Sequence, residues 1–317
     1  MGKLGHYFWP KTALLFHVYE EKIYCAFGYI EDGGFDIEQR REIGLSESSK
    51  LTDWLEEIRQ TYPKTYVCSM LDTTNQGAIP ECSKASLEKY GIDAALVSTL
   101  CVDESWLAYT SLVEMKWFEQ RFKGVEFDLL YSPFVLLYRK CMPMLDRKPA
   151  LFMLHQHGVL FFAIFSKERL WFAQVLIVSP GVESDAAAQM QEEEEAVELA
   201  FDLEMIDEEV ESISDADLLG EFKEELEEER SGEDESAFEL LEYNLNLFEE
   251  MKGALSRFYH DDRYSHDFIE RVTIFDMDDL GGDLVRYIED ELFMQASLHT
   301  FDPIEVMAEL VAQDLEG

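Results

Sequence analysis

The feature that most constrains this chain is an order of elements that occurs twice. Strand-length apolar runs at Ala13 to Tyr19 and Ile23 to Ile30 are separated only by Glu20-Glu21-Lys22, which predicts a tight hairpin. Asp32-Gly33-Gly34 predicts a second turn, leading into a sparsely apolar strand from Phe35 to Ile43. Ser48 or Ser49 can cap a helix carrying Leu51, Trp54, Leu55 and Ile58 at helical spacing, and Thr65 to Leu71 reads as the next strand. The order is β-β-β-α-β, and it returns after residue 145. Ala150 to Leu154, Val159 to Phe165 and Leu170 to Val178 are strands, the first two joined by a turn at His155-Gln156-His157-Gly158. A long helix fits Phe238 to Phe258, then a strand Arg271 to Phe275, a helix Asp283 to Leu292 and a strand Phe293 to Leu298. A closing helix runs from Asp302 to Ala312, with Asp302 as cap and Pro303 at its first position.

The recurrence implies an internal duplication. The expected division is a first half over 1–145, with an inserted subdomain near 72–130, and a second half over 146–317. The inserted region reads as helices around Ser83 to Tyr90 and Tyr109 to Phe122, with strand pieces near Ala95 to Thr99 and Phe127 to Tyr131. A helix near Phe134 to Met142 closes the first half.

The second half is interrupted by an acidic helical insertion at 182–236. It holds 24 acidic and 2 basic residues, a charge of -22, which leaves -19 for the other 262 residues of a chain whose formal charge is -41. Ala196, Leu199, Leu203, Ile206, Val210 and Ile213 recur at spacings of 3, 4, 3, 4, 3, an apolar stripe on a helix with acids on the other faces. The bland reading is an arm docked on its own domain. The functional one is a partner-binding arm using Leu199, Leu203, Ile206, Val210 and Ile213, its charge speeding encounter and its apolar anchors setting release.

A surface this negative repels phosphate backbones and anionic membranes, which argues against nucleic-acid binding. No apolar run approaches the ~18 residues a membrane span needs, and Pro10 and Glu20-Glu21 interrupt any signal-peptide-like start. The five cysteines (Cys25, Cys68, Cys82, Cys101, Cys141) form no CxxC pair and lie in or beside apolar runs, so buried free thiols in a reducing compartment are expected. These readings place the chain in the cytoplasm.

Catalytic patterns are sparse. The strand ending in Asp276-Met277-Asp278 is similar to the first motif of haloacid dehalogenase phosphatases, but the 41 residues after Asp276 contain no Lys to complete that site. As a calcium loop the stretch has Asp276, Asp278 and Gly281 in place, yet puts Leu280 and Tyr287 where ligands belong. A polar strand-to-helix loop accounts for it. His155 and His157 could share a strand face, but no third metal ligand can be placed, and a surface turn is the expectation. Walker loops and GxGxxG fingerprints are absent. No catalytic, cofactor or metal residue is assigned.

The closing third carries a resemblance. Gly253-Ala254-Leu255-Ser256-Arg257-Phe258-Tyr259 ends a long helix, Arg271 to Phe275 follows as a strand, and Gly281-Gly282-Asp283-Leu284-Val285-Arg286-Tyr287-Ile288 and Phe301-Asp302-Pro303 complete the set. This is similar to the PilM family of type IV pilus machines and to the related cytoplasmic region of the GspL family of type II secretion. The resemblance implies an α/β fold of actin-like type, made of duplicated RNase H-like halves. In such ATPases two hairpins hold phosphates with Asp-x-Gly turns, and a Gly-rich loop follows the strand matching Arg271 to Phe275. Here the turns are Tyr19-Glu20-Glu21-Lys22 and His155-Gln156-His157-Gly158, and the loop is Asp276-Met277-Asp278-Asp279. Carboxylates near a polyanion and lost backbone amides argue against ATP. What the resemblance implies is a non-catalytic scaffold at the cytoplasmic face of the inner membrane, without a cofactor. Its partners would be the cytoplasmic tail of an inner-membrane protein and a secretion or pilus ATPase. A nucleotide-binding ATPase of the same fold, or a free acidic adaptor, are the alternatives.

Overall fold

The computed structural model describes residues 10–178, 235–264, 267–278 and 280–316. The acidic stripe residues Leu199, Leu203, Ile206, Val210 and Ile213 lie outside them. The chain divides into one unit of Met1–Val178 with Phe248–Gly317 and another of Ser179–Leu247.

In the first unit, β1 (Lys11–Tyr19), β2 (Lys22–Glu31) and β3 (Gly34–Gly44) form an antiparallel meander. Beyond α1 (Ser49–Thr61), β4 (Thr65–Met70) lies parallel to β1 and completes the β-β-β-α-β order. With β8 (Leu129–Tyr131) the sheet order is β3-β2-β1-β4-β8. Strand β1 is buried on both faces, which is why it reads as a nearly unbroken apolar run. Leu14, Phe16 and Val18 join an outer core with Trp54 and Leu55 of α1, while Ala13 and Leu15 face a central core. At Gly28 the β2–β3 ladder shifts register. A Cβ there would sit 2.1 Å from the Asp36 carbonyl oxygen, so only glycine fits.

The second sheet repeats this plan. β9 (Ala150–Gln156), β10 (Val159–Phe165) and β11 (Leu170–Ile177) form its meander, and β12 (Arg271–Asp276) runs parallel to β9, with β13 (Gln295–Thr300) outside it. The order β11-β10-β9-β12-β13 matches that of the first sheet. A smaller sheet, β5-β7-β6, is built from β5 (Gln76–Ile79), β6 (Val97–Val102) and β7 (Trp106–Ser111).

Among the remaining helices, α2 (Leu112–Arg121) follows β7, and α3 (Pro133–Cys141) packs on β9 and β10 of the second sheet. A long helix, α4 (Glu235–His260), precedes β12, and α5 (Asp283–Leu292) connects β12 to β13. The final helix, α6 (Pro303–Glu316), starts as the sequence predicts, with Ile304 N–H donating to Asp302 Oδ1 at 2.8 Å behind Pro303. It packs against β1 to β4 of the first sheet and against α3. Each half therefore places a helix against the other's sheet.

Several local expectations change. The helix expected from Tyr109 begins only at Leu112, because Tyr109 to Ser111 belong to β7, which pairs with β5 and β6 on its two sides. Lys84–Tyr90 is a 3-10 helix. Phe293 is not in a strand; it caps α5 in the left-handed region, and the strand begins at Gln295. Cys25, Cys68 and Cys141 are buried free thiols, but Cys82 and Cys101 form a disulfide. Their separation of 19 residues carries no motif; the pairing of β5 and β6 on opposite sides of β7, Ile79 and Cys101 both opposite Leu107, brings Cys82, just beyond β5, to Cys101.

Candidate functional site

The matching sheets set the β1–β2 and β9–β10 hairpins opposite each other. Glu20 has φ 52° and His157 φ 56°, so both tight turns close with a non-glycine residue in the left-handed region. The sequence suggests a surface turn over His155 to Gly158, but β9 continues to Gln156 and only His157-Gly158 turn. His155 is fully buried. It donates from Nδ1 to Asp276 Oδ1 at 2.8 Å, with Asp278 Oδ2 at 3.5 Å. The two histidines therefore do not form a joint site: His155 lies in β9, which is buried throughout, whereas His157 sits in the exposed turn.

The loop after β12 is organised around Asp276. Its carboxylate accepts from Asp278 N–H at 3.1 Å and Leu280 N–H at 2.8 Å. Burial works to raise its pKa, but the bonds from His155, Leu280 and Asp278 outweigh this and hold it below the usual aspartate range. Asp276 is thus fixed by its neighbours and is not presented as a nucleophile. Among the described residues no group of three or more His, Cys, Asp or Glu is arranged to hold a metal ion.

Contacts across the cleft then join the hairpins. The Tyr19 hydroxyl donates to Asp278 Oδ1 at 2.6 Å, and its ring stacks on His157 at 5.4 Å. Burial, then the hydrogen bond and charge of Asp278, push the phenol well above its usual range, so it remains a donor. His157 N–H donates to Asp278 Oδ2. Gln156 Nε2 donates to the Val18 carbonyl at 3.3 Å. Beside this bridge a cleft of ≈ 210 Å³ is lined by Glu20, Asp72, Thr73, Arg121, Gln156 and His157 among others. Its cation, Arg121, is paired with Asp72. That volume is below the roughly 300–1,000 Å³ of ordinary ligand pockets, and its free charge is negative. Neither Tyr19 nor Gln156 carries a local sequence signal, since each acts through a partner in the other half.

Two sheets of one topology, with facing hairpins at a cleft between them, define an actin-like α/β fold. The chain belongs to the family described as Domain of unknown function (DUF8341), whose profile matches residues 151–316. Residues 8–138 match a second family, Domain of unknown function (DUF8569). No curated protein matches the chain. Among solved structures it is similar to a chain of the PilM-PilN type IV pilus biogenesis complex, at 13% identity over 93% of this chain and 89% of that one, with TM-score 0.54. That similarity shows a PilM-like actin-like fold. A Bacteroides thetaiotaomicron VPI-5482 protein with an actin-like ATPase fold matches at 9% identity over 98% and 99%, TM-score 0.45. The activator of 2-hydroxyisocaproyl-CoA dehydratase from Clostridium difficile matches at 11% identity over 97% of each chain, TM-score 0.39.

Proposed function

We propose that this chain is a non-catalytic actin-like scaffold that docks partners of a type IV pilus or type II secretion machine at the cytoplasmic face of the inner membrane. The observation that carries this reading is the Tyr19–Asp278–His157 bridge, which joins the hairpins where a triphosphate would lie in an actin-like ATPase. Phosphate would have to break that bridge and then meet Glu20, Asp72 and Asp278 without a free cation among the described cleft residues. Calorimetry with Mg-ATP should give no binding tighter than about 100 μM, roughly -5.5 kcal/mol, and no hydrolysis. Tighter magnesium-dependent binding would return the chain to the ATPases.

The partner surface on this reading is the outer edge of the small sheet. Strand β6 is an edge, and Leu112 N–H donates to the Leu96 carbonyl at 2.9 Å, which sets the start of α2 beside it. Leu96, Leu100, Val113 and Trp117 are exposed there, Trp117 by 65%. Val113 and Trp117 are four apart and share a helix face. An extended apolar segment could add to the free edge of β6 and place its side chains on this patch. Juxtamembrane cytoplasmic tails are rich in Lys and Arg, which suits a chain of formal charge -41. No helix among the described residues is long and apolar enough to cross a membrane, so membrane association on this reading runs through the partner. The stripe Leu199, Leu203, Ile206, Val210 and Ile213 is proposed as a second contact, with a pilus or secretion ATPase. In binding kinetics with a membrane-protein tail, Trp117→Ala should weaken affinity at least tenfold, about 1.4 kcal/mol. Leu203→Ala should hasten release from the ATPase only. Unchanged affinity in the first case would remove β6 and α2 from the interface.

A further inference from the structure

The carboxyl end of α5 breaks three local rules at one place. Phe293 caps the helix at φ 55°, ψ 30°, a position that glycine ordinarily takes and that bulky residues rarely adopt. Its side chain is 86% exposed, so no packing within the described chain accounts for it. The last turn holds the exposed acids Glu289, Asp290 and Glu291 and no basic residue, although the helix dipole there favours cations. Departures of this kind concentrate at functional sites.

A second exposed aromatic, Phe268, precedes the neighbouring strand. β12 and β13 run parallel with Arg271 opposite Gln295, and Gln295 N–H donates to the Glu270 carbonyl at 2.9 Å. Phe268 and Phe293 therefore lie at the same end of neighbouring strands. Continuing that register puts Phe293 opposite Ile269, with Phe268 one position earlier; Ile269 and Met294 are buried, whereas Phe268, 67% exposed, and Phe293 are both open to solvent at this end of the sheet. The exposed acids Asp267 and Glu270 lie on either side of Phe268, and Asp290 and Glu291 come just before Phe293. One of them, Glu270, is paired with Lys148 at 2.8 Å.

We infer that Phe268 and Phe293 are the anchors of a docking surface for a basic amphipathic segment of a partner protein. Such a segment would cover two exposed aromatics with apolar side chains. Its Lys and Arg residues would meet Asp267, Asp290, Glu291 and the helix dipole together. A second copy of this chain is a poor occupant, since it would bring the same acids against these. This surface lies on the second sheet, away from β6 and α2 in the chain's topology, so the inference does not rest on the interface proposed above.

The test uses the full chain and a fluorescent 14-residue amphipathic Lys–Leu peptide, with a Glu–Leu peptide of the same pattern as control. Phe293→Gly is the decisive variant, because glycine suits the left-handed cap. Its melting temperature should equal or exceed that of the parent, while affinity for the Lys–Leu peptide falls at least tenfold. Phe268→Ser should lose as much, and hydrogen exchange over 267–275 and 289–300 should slow when the peptide binds. Trp117→Ala should leave this affinity unchanged, which separates the result from that of the β6 surface. Equal affinity in Phe293→Gly, equal binding of the Glu–Leu peptide, or a dimer that Phe293→Gly dissociates in sedimentation would each overturn the inference. A lower melting temperature in Phe293→Gly would overturn it too, by showing that the ring packs within its own fold.

Discussion

Replacing Trp106 with alanine should cost about 4 kcal/mol of folding stability, the largest effect of any single truncation discussed for this chain. Trp106 is fully buried at the start of β7, with ring centroids 5.4 Å from Tyr138 of α3 and 5.8 Å from Phe165 of β10. Its ring thus fastens the small sheet to elements of both halves. Three separate elements cannot close together into the space it would leave, so most of the cavity should persist. Chemical denaturation with an unchanged slope is the measurement. A loss below about 1.5 kcal/mol would mean the site collapses after all. Trp106→Phe is the informative contrast. The indole Nε1 is buried without an acceptor among the described residues, and such a donor is itself destabilising. Phenylalanine keeps an aromatic against Tyr138 and Phe165 while removing that donor. Its cost should stay under about 1.5 kcal/mol.

Asp276→Ala should cost about 3 kcal/mol. The carboxylate satisfies His155 Nδ1 and two backbone N–H groups, and its removal leaves all three without that acceptor in a buried loop. Asp276→Asn retains an acceptor oxygen and should lose less. The acid side of the stability curve gives an independent check. The folded Asp276 carboxyl lies below its unfolded value, which is about 3.9. Its contribution is therefore complete above that pH and is lost as pH falls through the lower folded value. Parent and Asp276→Asn curves should lie a constant distance apart near neutrality and converge in acid. Curves that stay parallel down to pH 2 would show that Asp276 does not carry this dependence.

The β1–β2 hairpin was legible in the sequence because β1 is buried on both faces, so hydrophobicity marks it without ambiguity. The repeat of that order after residue 145 made the duplicated fold legible too, since both meanders announce themselves in the same way. The small sheet was harder. β5 has only four residues, and Trp-Leu-Ala-Tyr-Thr at 106–110 suits a strand or a helix until its pairing partners are known. His155 read as part of a polar turn because its partner, Asp276, is 121 residues away. Tyr19 gave no signal for a related reason. One tyrosine at a strand end is unremarkable, and its contact with Asp278 exists only after the two halves have folded against each other. The hairpin turns and the loop after β12 were visible residue by residue, whereas the bridge that joins them was not.

The helices exchanged between the halves also constrain how this chain can fold during synthesis. Leu15 and Ala13 on β1 belong to the same core as Met307 and Val311 on α6, almost 300 positions later in the chain. The first sheet can form its ladders early, but one of its apolar faces has no cover until residues 303–316 have left the ribosome. Translation at roughly 5–20 residues per second then leaves that face open for many seconds while the acidic segment and the second sheet are made. During that interval a surplus of negative charge, more than half of it emitted just before α4, would keep nascent chains apart by repulsion.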